Sequence, residues 1–218
     1  MIRPLLVGHR GSRSVRSIPE NTLPAFDLAL EQGCDGIEFD VRLTRDRQAL
    51  VCHDPRSQGV DVSRSRRAQL PNLPTLADVL SRYNQQVFLD IELKTPGLTD
   101  IVLDDLRRHN RERGFVISSF LPEVLIDVRG RSHSIPLGII FEQQVPPWQE
   151  LPVDCVMAEK SLITRPLVGQ VHEAGKKLFA WTVNERAAML RFAQWGVDGI
   201  ISDTTELLVA TLRGENSR

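Results

Sequence analysis

The sequence predicts a (β/α)8 barrel, the TIM-barrel fold, in a single domain that spans residues 1–218. Two observations lead to this prediction. Short apolar runs alternate with helix-like segments from one end of the chain to the other, which is typical of a parallel sheet with helical crossovers. Eight of these runs fit strands. Most are almost continuously hydrophobic, as expected of strands covered on both faces.

The predicted strands are Leu5–Gly8, Gly36–Val41, Val87–Leu93, Phe115–Ser119, Pro136–Phe141, Asp154–Ala158, Lys177–Val183 and Gly199–Ser202. An open, doubly wound sheet is the alternative, and it usually carries a glycine-rich phosphate loop after its first strand. Here the first strand leads into Gly8-His9-Arg10-Gly11, which matches neither nucleotide-binding fingerprint. The closed barrel is therefore favoured.

Segments with apolar residues at helical spacing lie between these strands, and most of them end at a glycine. The predicted helices are Thr22–Gln32, Thr75–Tyr83, Thr99–Arg113, Pro122–Arg129, Arg165–Ala174, Asn184–Gln194 and Thr204–Leu212. Two links are irregular. The proline-rich segment Gln143–Pro152 predicts a degenerate connection between the fifth and sixth strands. The alternating segment Gln48–His53 predicts a short hairpin arm that carries His53 back to the barrel mouth.

Composition limits the partners of the protein. With 27 basic and 28 acidic residues the net charge is -1, so no bulk field attracts nucleic acid or an anionic membrane. The three cysteines have no metal-binding spacing, which favours a reducing, cytoplasmic location. The start of the sequence does not resemble a signal peptide, and no run approaches the roughly 18 apolar residues of a membrane span. We expect no stable membrane anchoring.

Acidic residues crowd the ends of the second and third strands, where a barrel carries its chemistry. Glu38 and Asp40 are two residues apart, as are Asp90, Glu92 and Lys94, so each set points to one face of its strand. Carboxylates that converge in this way repel one another unless a cation lies among them. Oxygen ligands without cysteine favour Mg²⁺ or Ca²⁺ over zinc.

The alternative for these acids is a purely structural one, in which each forms an ion pair with Arg10, Arg42 or Lys94. A single acid on a strand could easily do so. A whole set on adjacent strands and on the same inward face is more typical of a functional cluster.

Two of the five histidines lie at strand ends next to this cluster. His9 ends the first strand, and His53 precedes Asp54-Pro55 at a change from strand to loop. Cleavage of a phosphodiester needs one group to accept a proton and one to donate a proton, together with positive charge on the non-bridging oxygens. Two histidines, a cation and Arg10 would supply these.

The chain resembles the glycerophosphodiester phosphodiesterase family over nearly its whole length. The segments that carry the resemblance, in the expected order, are His9-Arg10-Gly11, Pro19-Glu20-Asn21-Thr22, Ala25-Phe26, Gly36-Ile37-Glu38-Phe39-Asp40-Val41, Thr44-Arg45-Asp46, Val51-Cys52-His53-Asp54, Pro74-Thr75-Leu76, Ile91-Glu92-Leu93-Lys94, Trp181-Thr182-Val183-Asn184 and Gly196-Val197-Asp198-Gly199-Ile200. Any single segment is weak, but the combined pattern is highly specific.

The resemblance implies a divalent cation, Mg²⁺ or Ca²⁺ with Mn²⁺ as a further option, held by Glu38, Asp40 and Glu92. It implies His9 and His53 as the acid and base. In that family a neighbouring glycerol hydroxyl is thought to attack phosphorus, and water then opens the cyclic phosphate. The products would be glycerol 3-phosphate and an alcohol such as choline or ethanolamine, a role in glycerol and lipid metabolism.

The same resemblance implies substrate contacts outside the metal and acid–base groups. Arg10 and Lys94 would bind phosphate, Glu20 and Asn21 would shape the site near the metal, and Trp181 would line the alcohol pocket.

One departure concerns the insertion that normally follows the second-strand region and forms a small cap over the site. Here only Pro55–Pro71 separates His53-Asp54 from Leu73-Pro74-Thr75, so the cap is shortened and the pocket should be more open. The sequence leaves headgroup preference, the choice of cation and oligomeric state undetermined.

Two other functions remain as alternatives to hydrolysis of small glycerophosphodiesters. One is a lipid-directed phosphodiesterase of the lysophospholipase D or phosphoinositide type, which would need an exposed apolar rim. The other is a non-catalytic barrel that binds a phosphorylated ligand, which loss of a histidine or a metal-binding acid would indicate. All of these residues are present.

Overall fold

The computed structural model describes residues 3–83, 87–110 and 114–214. Its strands are β1 (Leu5–His9), β2 (Gly36–Leu43), β3 (Ala49–Val51), β4 (Arg56–Ser57), β5 (Val60–Asp61), β6 (Phe88–Leu93), β7 (Phe115–Ser119), β8 (Leu137–Phe141), β9 (Cys155–Glu159), β10 (Lys177–Trp181) and β11 (Gly199–Ser202). Strands β1, β2 and β6 to β11 pair in parallel, and β1 closes the ring by pairing with both β2 and β11. The predicted (β/α)8 barrel is confirmed.

Helices cover the outside of the barrel between successive strands. They are α1 (Leu23–Glu31), α2 (Leu76–Arg82), α3 (Thr99–Arg108), α4 (Pro122–Arg131), α5 (Arg165–Glu173), α6 (Arg186–Trp195) and α7 (Thr205–Arg213). Threonine side chains cap the first turns of three of them, α1, α2 and α5, as their positions before apolar helical runs predict. No helix in the described ranges is long and apolar enough to cross a membrane.

The predicted helices agree with the structure in number and order, but their bounds differ, mostly by one or two residues. The helix predicted to start at Asn184 starts at Arg186, because the Asn184 side chain bonds to Ser202 and Asp203 instead of entering the helix. The helix predicted to reach Arg113 ends at Arg108, and residues 111–113 of that prediction lie outside the described residues.

Both predicted irregular links are confirmed. The connection between β8 and β9 contains only a short 3-10 turn, Trp148–Glu150, with Trp148 buried against the barrel. Strand β3 pairs antiparallel with the extension of β2, with Val41 opposite Val51. This arm returns the chain to the barrel mouth and places His53 there. The β4–β5 hairpin that follows is tied to the arm by a separate apolar cluster built from Leu50, Cys52, Val62 and Leu70.

At the opposite end of the barrel, aspartates in the turns before three strands bind the neighbouring strands. Each carboxylate accepts a hydrogen bond from a backbone N–H near the start of the adjacent strand, a group that strand pairing leaves free. The pairs are Asp35 with Leu6, Asp154 with Leu137 and Asp198 with Leu178. This end therefore serves stability, and the mouth is free for chemistry.

Candidate active site

A cavity of about 430 Å³ opens at the C-terminal ends of the barrel strands. Its lining residues are His9, Arg10, Glu38, His53, Asp90, Glu92, Lys94, Phe120, Ile140, Glu142, Met157, Trp181 and Ile201. Apart from Glu142, which follows β8, the charged side chains come from β2, β6, the arm and the end of β1, whereas the other side chains from β7 to β11 are apolar. The cavity thus has a polar half and a mainly apolar half.

Three carboxylates converge at the polar half, of which Glu38 and Glu92 line the cavity and Asp40 does not. Ligand oxygens of Glu38, Asp40 and Glu92 all lie within 4.8 Å of one another. Asp40 is fully buried, and Glu38 and Glu92 are 4% and 7% exposed. Glu38 Oε1 and Asp40 Oδ1 are buried and accept no hydrogen bond from any described residue, although the Lys94 ammonium lies 3.4 Å from Asp40 Oδ1. Buried carboxylate oxygens without donors are costly unless a cation occupies the space between them, so the set fits a divalent cation with oxygen ligands.

Two basic side chains offset part of this negative charge. Arg10 Nε lies 3.2 Å from Asp40, and Lys94 Nζ lies 2.7 Å from Glu92 and 3.4 Å from Asp40. The ion pairs that the structural alternative expected are therefore present for Arg10 and Lys94. Arg42 does not pair with these acids and donates instead to the backbone oxygen of His53. Asp90 is also buried beside these acids. Four carboxyl groups therefore lie near only two basic side chains, Arg10 and Lys94, so the cluster has more acidic groups than basic ones.

The pKa values of the three acids shift in different directions in this environment. Burial and the neighbouring charges of Asp40 and Asp90 raise the pKa of Glu38 well above its ordinary value. Burial and Asp40 likewise raise the pKa of Glu92 to about 8, although Lys94 opposes the change. Burial acts on the pKa of Asp40 as well, but Arg10 and Lys94 outweigh it and lower that pKa. Without a cation, this cluster is under strong electrostatic repulsion.

His9 is held in place by a chain of polar contacts. Its Nδ1 lies 2.8 Å from Asp203 Oδ1, and its Nε2 lies 3.9 Å from Glu38. Asn184 donates to the other oxygen of Asp203 at 2.8 Å, and Arg13 contacts the same carboxylate. Burial opposes ionisation of Asp203, but the hydrogen bond and charge of His9 keep the pKa of Asp203 well below its ordinary value. An ionised Asp203 accepts a hydrogen bond from Nδ1–H of His9, which leaves Nε2 facing Glu38 without that proton in the neutral imidazole.

His53 has a similar arrangement in a more open position. Its Nδ1 lies 2.8 Å from Asp54 Oδ1, and its side chain is 33% exposed. Arg42 fixes the backbone of His53 through the 2.7 Å bond to its carbonyl oxygen. Both histidines thus line one cavity, each with Nδ1 on a carboxylate.

Arg10 has an uncommon backbone conformation, with φ of 53°. This conformation directs its N–H to Glu38 Oε2 at 2.8 Å, while its guanidinium reaches Glu20 and Asp40. Asn21, with φ of 57°, donates to Asp40 Oδ2 and accepts from the Asp40 backbone N–H. Neither Glu20 nor Asn21 is among the cavity-lining residues; Glu20 contacts Arg10, and Asn21 contacts Asp40.

The apolar half was largely missed by the sequence analysis, which named only Trp181 there. Phe120 and Trp181 meet edge to face with ring centroids 5.5 Å apart, above Met157 and Ile140. The sequence contains a pattern that could have identified Phe120 and Glu142 as lining residues. The alternation of inward and outward side chains along β7 and β8 continues past the strand ends and places both residues on the inward side.

The sequence analysis also did not assign roles to Asp203, Asn184 or Ser118. Ser118 donates to the buried Asp90 at 2.6 Å. Burial still raises the pKa of Asp90 to about 7, with that hydrogen bond opposing it. Each of these partners comes from a distant part of the chain, so spacing within the sequence does not reveal the pairing.

Comparison with known proteins gives a consistent result. The model of the glycerophosphoryl diester phosphodiesterase family matches residues 9–207. The glycerophosphodiester phosphodiesterase of Caldanaerobacter subterraneus subsp. tengcongensis is 30% identical over an alignment of 245 positions, gaps included. The alignment covers 97% of this chain and 99% of that protein.

Solved structures share the fold. A glycerophosphodiester phosphodiesterase from Parabacteroides distasonis superposes with a TM-score of 0.89 at 21% identity, covering 99% of each chain. A phosphodiesterase from Oleispira antarctica, solved in complex with the product sn-glycerol-3-phosphate, superposes with a TM-score of 0.87 at 24% identity, covering 97% of each chain.

Proposed function

This chain belongs to the glycerophosphoryl diester phosphodiesterase family, and from that premise we propose that it hydrolyses small glycerophosphodiesters with a divalent cation and two histidines. It is an enzyme of the phosphoric diester hydrolase class. The observation that carries the finer proposal is the juxtaposition at one cavity of two basic side chains, two carboxylate-bound histidines and a carboxylate trio of which Glu38 and Glu92 line the cavity.

Glu38, Asp40 and Glu92 are the proposed ligands of the cation. Their burial, their mutual approach within 4.8 Å and the two buried oxygens, Glu38 Oε1 and Asp40 Oδ1, that accept no hydrogen bond from a described residue support this assignment. Mg²⁺ and Ca²⁺ suit an all-oxygen set, and Mn²⁺ is a further candidate. When bound, the cation would supply positive charge to the non-bridging oxygens of the phosphodiester.

His9 and His53 are the proposed acid–base pair. In each, the carboxylate on Nδ1 favours the tautomer whose Nε2 is free to exchange a proton with the substrate. One histidine would take a proton from the attacking hydroxyl or water, and the other would give a proton to the oxygen of the departing alcohol. Arg10 and Lys94, already beside the carboxylate trio, would bind the phosphate oxygens.

Glu20 and Asn21 are proposed as positioning residues, Glu20 for Arg10 and Asn21 for Asp40. Trp181 is proposed to line the pocket for the alcohol. The product complex of the Oleispira antarctica phosphodiesterase contains sn-glycerol-3-phosphate, which supports a glycerol-containing diester as substrate.

A lipid-directed activity has less support. The large exposed apolar side chains in the described ranges are Val15, Ile126, Val145 and Leu207, which lie in four separate segments. The segment 55–71 contributes no residue to the cavity lining, in keeping with a shortened cap. The single domain spanning residues 1–218, the cytoplasmic location and a place in glycerol and lipid metabolism stay part of this proposal.

The test is release of glycerol 3-phosphate from a panel of diesters with Mg²⁺, Ca²⁺ and Mn²⁺ in turn. We expect hydrolysis that EDTA abolishes and that the preferred cation restores. Hydrolysis that survives complete chelation would contradict the metal assignment. Binding of phosphorylated ligands without turnover under any cation would instead favour the non-catalytic alternative.

A further inference from the structure

Charged side chains beside the cavity form a continuous line of ion pairs. Arg13 Nη1 lies 2.9 Å from Asp203 Oδ1, and Arg13 Nε lies 2.8 Å from Glu20 Oε2. The other oxygen of Glu20 accepts a hydrogen bond from Arg10 Nη1 at 2.8 Å, and Arg10 Nε lies 3.2 Å from Asp40. Acidic and basic groups thus alternate from Asp203 to Asp40, and this set of five residues is the ion-pair line.

The two ends of the ion-pair line reach the proposed machinery of the site. At one end, Asp203 Oδ1 lies 2.8 Å from His9 Nδ1, and it is the same oxygen that Arg13 contacts. At the other end, Arg10 is a proposed phosphate-binding residue and Asp40 is a proposed ligand of the cation. Arg13 contacts an acid on each side, so its removal would break the line in the middle.

The main chain at Arg13 is held in place without the help of its side chain. Its N–H donates to the Asp203 carbonyl oxygen at 3.2 Å, and the Ser12 N–H donates to the Ala25 carbonyl oxygen at 2.9 Å. The Ser12 hydroxyl also accepts a hydrogen bond from the Thr205 hydroxyl at 2.7 Å. The Arg13 side chain is 38% exposed, and ion pairs as exposed as this contribute little to stability. Support of the loop therefore explains little of why the guanidinium lies between two acids.

The shape of the guanidinium matters at this position. Its donors form a fixed, planar fork, so two acids bound to it keep a fixed separation. Asp203 Oδ1 has two partners, His9 and Arg13. The Glu20 carboxylate likewise has one oxygen on Arg10 and the other on Arg13. Loss of Arg13 would therefore loosen one oxygen of each carboxylate, and with it the side chain that each carboxylate holds.

We propose that Arg13 is a positioning residue that couples His9 to Arg10 through Asp203 and Glu20. The inference rests on the proposed function, because it concerns the alignment of a proposed acid–base group with a proposed phosphate-binding group. With both acids fixed to one guanidinium, the imidazole and the Arg10 side chain keep one relative orientation toward the diester. Such alignment contributes to the rate because small displacements of a reacting group are costly.

The first test measures kcat and KM of Arg13→Ala with the diester and cation that give the highest wild-type activity. We expect kcat to fall about tenfold, through His9, and KM to rise about threefold, through Arg10. Arg13→Lys, which keeps the charge but not the fork, should recover part of both losses. The matched control is Arg16→Ala, an exposed arginine of the same loop outside the ion-pair line, which should behave as wild type. A kcat/KM of Arg13→Ala within about twofold of wild type would overturn the proposal.

A double-mutant cycle with Glu20→Gln separates coupling from a general loss of structure. In the wild-type background, Glu20→Gln should lower kcat and raise KM. In the Arg13→Ala background it should still raise KM through Arg10, but it should hardly change kcat, because the connection to His9 is already broken. Losses in kcat that simply multiply would mean that Arg13 and Glu20 act independently, and they would contradict the coupling.

A third measurement does not depend on turnover. Proton NMR follows the His9 Nδ1–H resonance, which is identified by its change in Asp203→Asn. Because Arg13 contacts the oxygen that accepts this proton's hydrogen bond, exchange of the proton with water should be at least about threefold faster in Arg13→Ala and unchanged in Arg16→Ala. Failure of every diester to be hydrolysed would count against the proposed function, whereas an unchanged exchange rate in Arg13→Ala would count against the role of Arg13 alone.

Discussion

His9 and Asp203 are 194 residues apart in the chain, yet His9 Nδ1 lies 2.8 Å from Asp203 Oδ1. Closure of the barrel between β1 and β11 makes this contact, since the two residues stand at the ends of neighbouring strands. Asn184 holds the second Asp203 oxygen, so the carboxylate has little freedom to rotate. In the proposed mechanism, this contact sets which nitrogen of His9 faces the substrate.

Asp203→Asn should therefore lower kcat by roughly 10²-fold or more, because an amide can hold the imidazole in the wrong tautomer and cannot stabilise the imidazolium. KM should stay within about twofold, since Asp203 does not line the cavity. Steady-state kinetics give both values. Glu206→Gln, an exposed acid on α7, is the control and should behave as wild type. A variant with lowered affinity but normal kcat would argue for a binding role.

The proposed acid–base role can be tested separately for each of the two histidines. His9→Ala and His53→Ala should each lower kcat by ~10² or more if they exchange protons with the substrate. His53 is 33% exposed at its side chain, so its removal should leave the thermal midpoint almost unchanged. His133→Ala, at an exposed loop position, controls for general effects of histidine removal. A near-normal kcat in either active-site variant would exclude that histidine from proton transfer.

Glu38, a proposed ligand of the cation, is buried at a cost to stability. Its pKa is raised by burial and by Asp40 and Asp90, so its ionisation at neutral pH lowers the free energy of unfolding. Without added cation, Glu38→Gln should raise Tm by about 2–4 °C, the shift that ~1 kcal/mol produces in a protein of this size. Divalent cations should raise Tm of the wild type but have much less effect on the variant.

Thermal scans with EDTA and with each cation measure these changes. Glu123→Gln, at an exposed position in α4, is a suitable control and should respond to cations as the wild type does. A cation-dependent increase in Tm of equal size in Glu38→Gln would show that Glu38 is not a ligand.

The barrel and the polar half of the site could be predicted because their signals are local. Alternation within β2 and β6 places Glu38, Asp40 and Glu92 on one face whatever the rest of the chain does. The partners of His9 and Asp90 could not be predicted, because they depend on which strands become neighbours. The prediction that Asn184 begins helix α6 was wrong for a related reason. Helical spacing favours its inclusion in α6, but its bonds to Ser202 and Asp203 hold it outside the helix.

Asp35 offers a test at the opposite end of the barrel from the site. Its carboxylate accepts hydrogen bonds from the Leu6 backbone N–H at 2.8 Å and from the guanidinium groups of Arg3 and Arg213. Burial opposes its ionisation, but these donors lower its pKa overall. Asp35→Asn should therefore lower the free energy of unfolding by about 1–2 kcal/mol at pH 7, allowing for the exposure of the arginines.

The pH dependence of this difference follows from the direction of the shift. Because the folded-state pKa of Asp35 lies below the unfolded value of about 3.9, the stabilisation is fully present above that value. It is lost as the pH falls through the folded-state pKa. Urea titrations should give a constant difference between wild type and Asp35→Asn from pH 7 to about 5 and a shrinking difference below about 4. Asp104→Asn, in an exposed pair with Arg107, should show almost no difference at any pH. A difference for Asp35→Asn that persists undiminished in acid would mean that the bond from Leu6 survives without the charge.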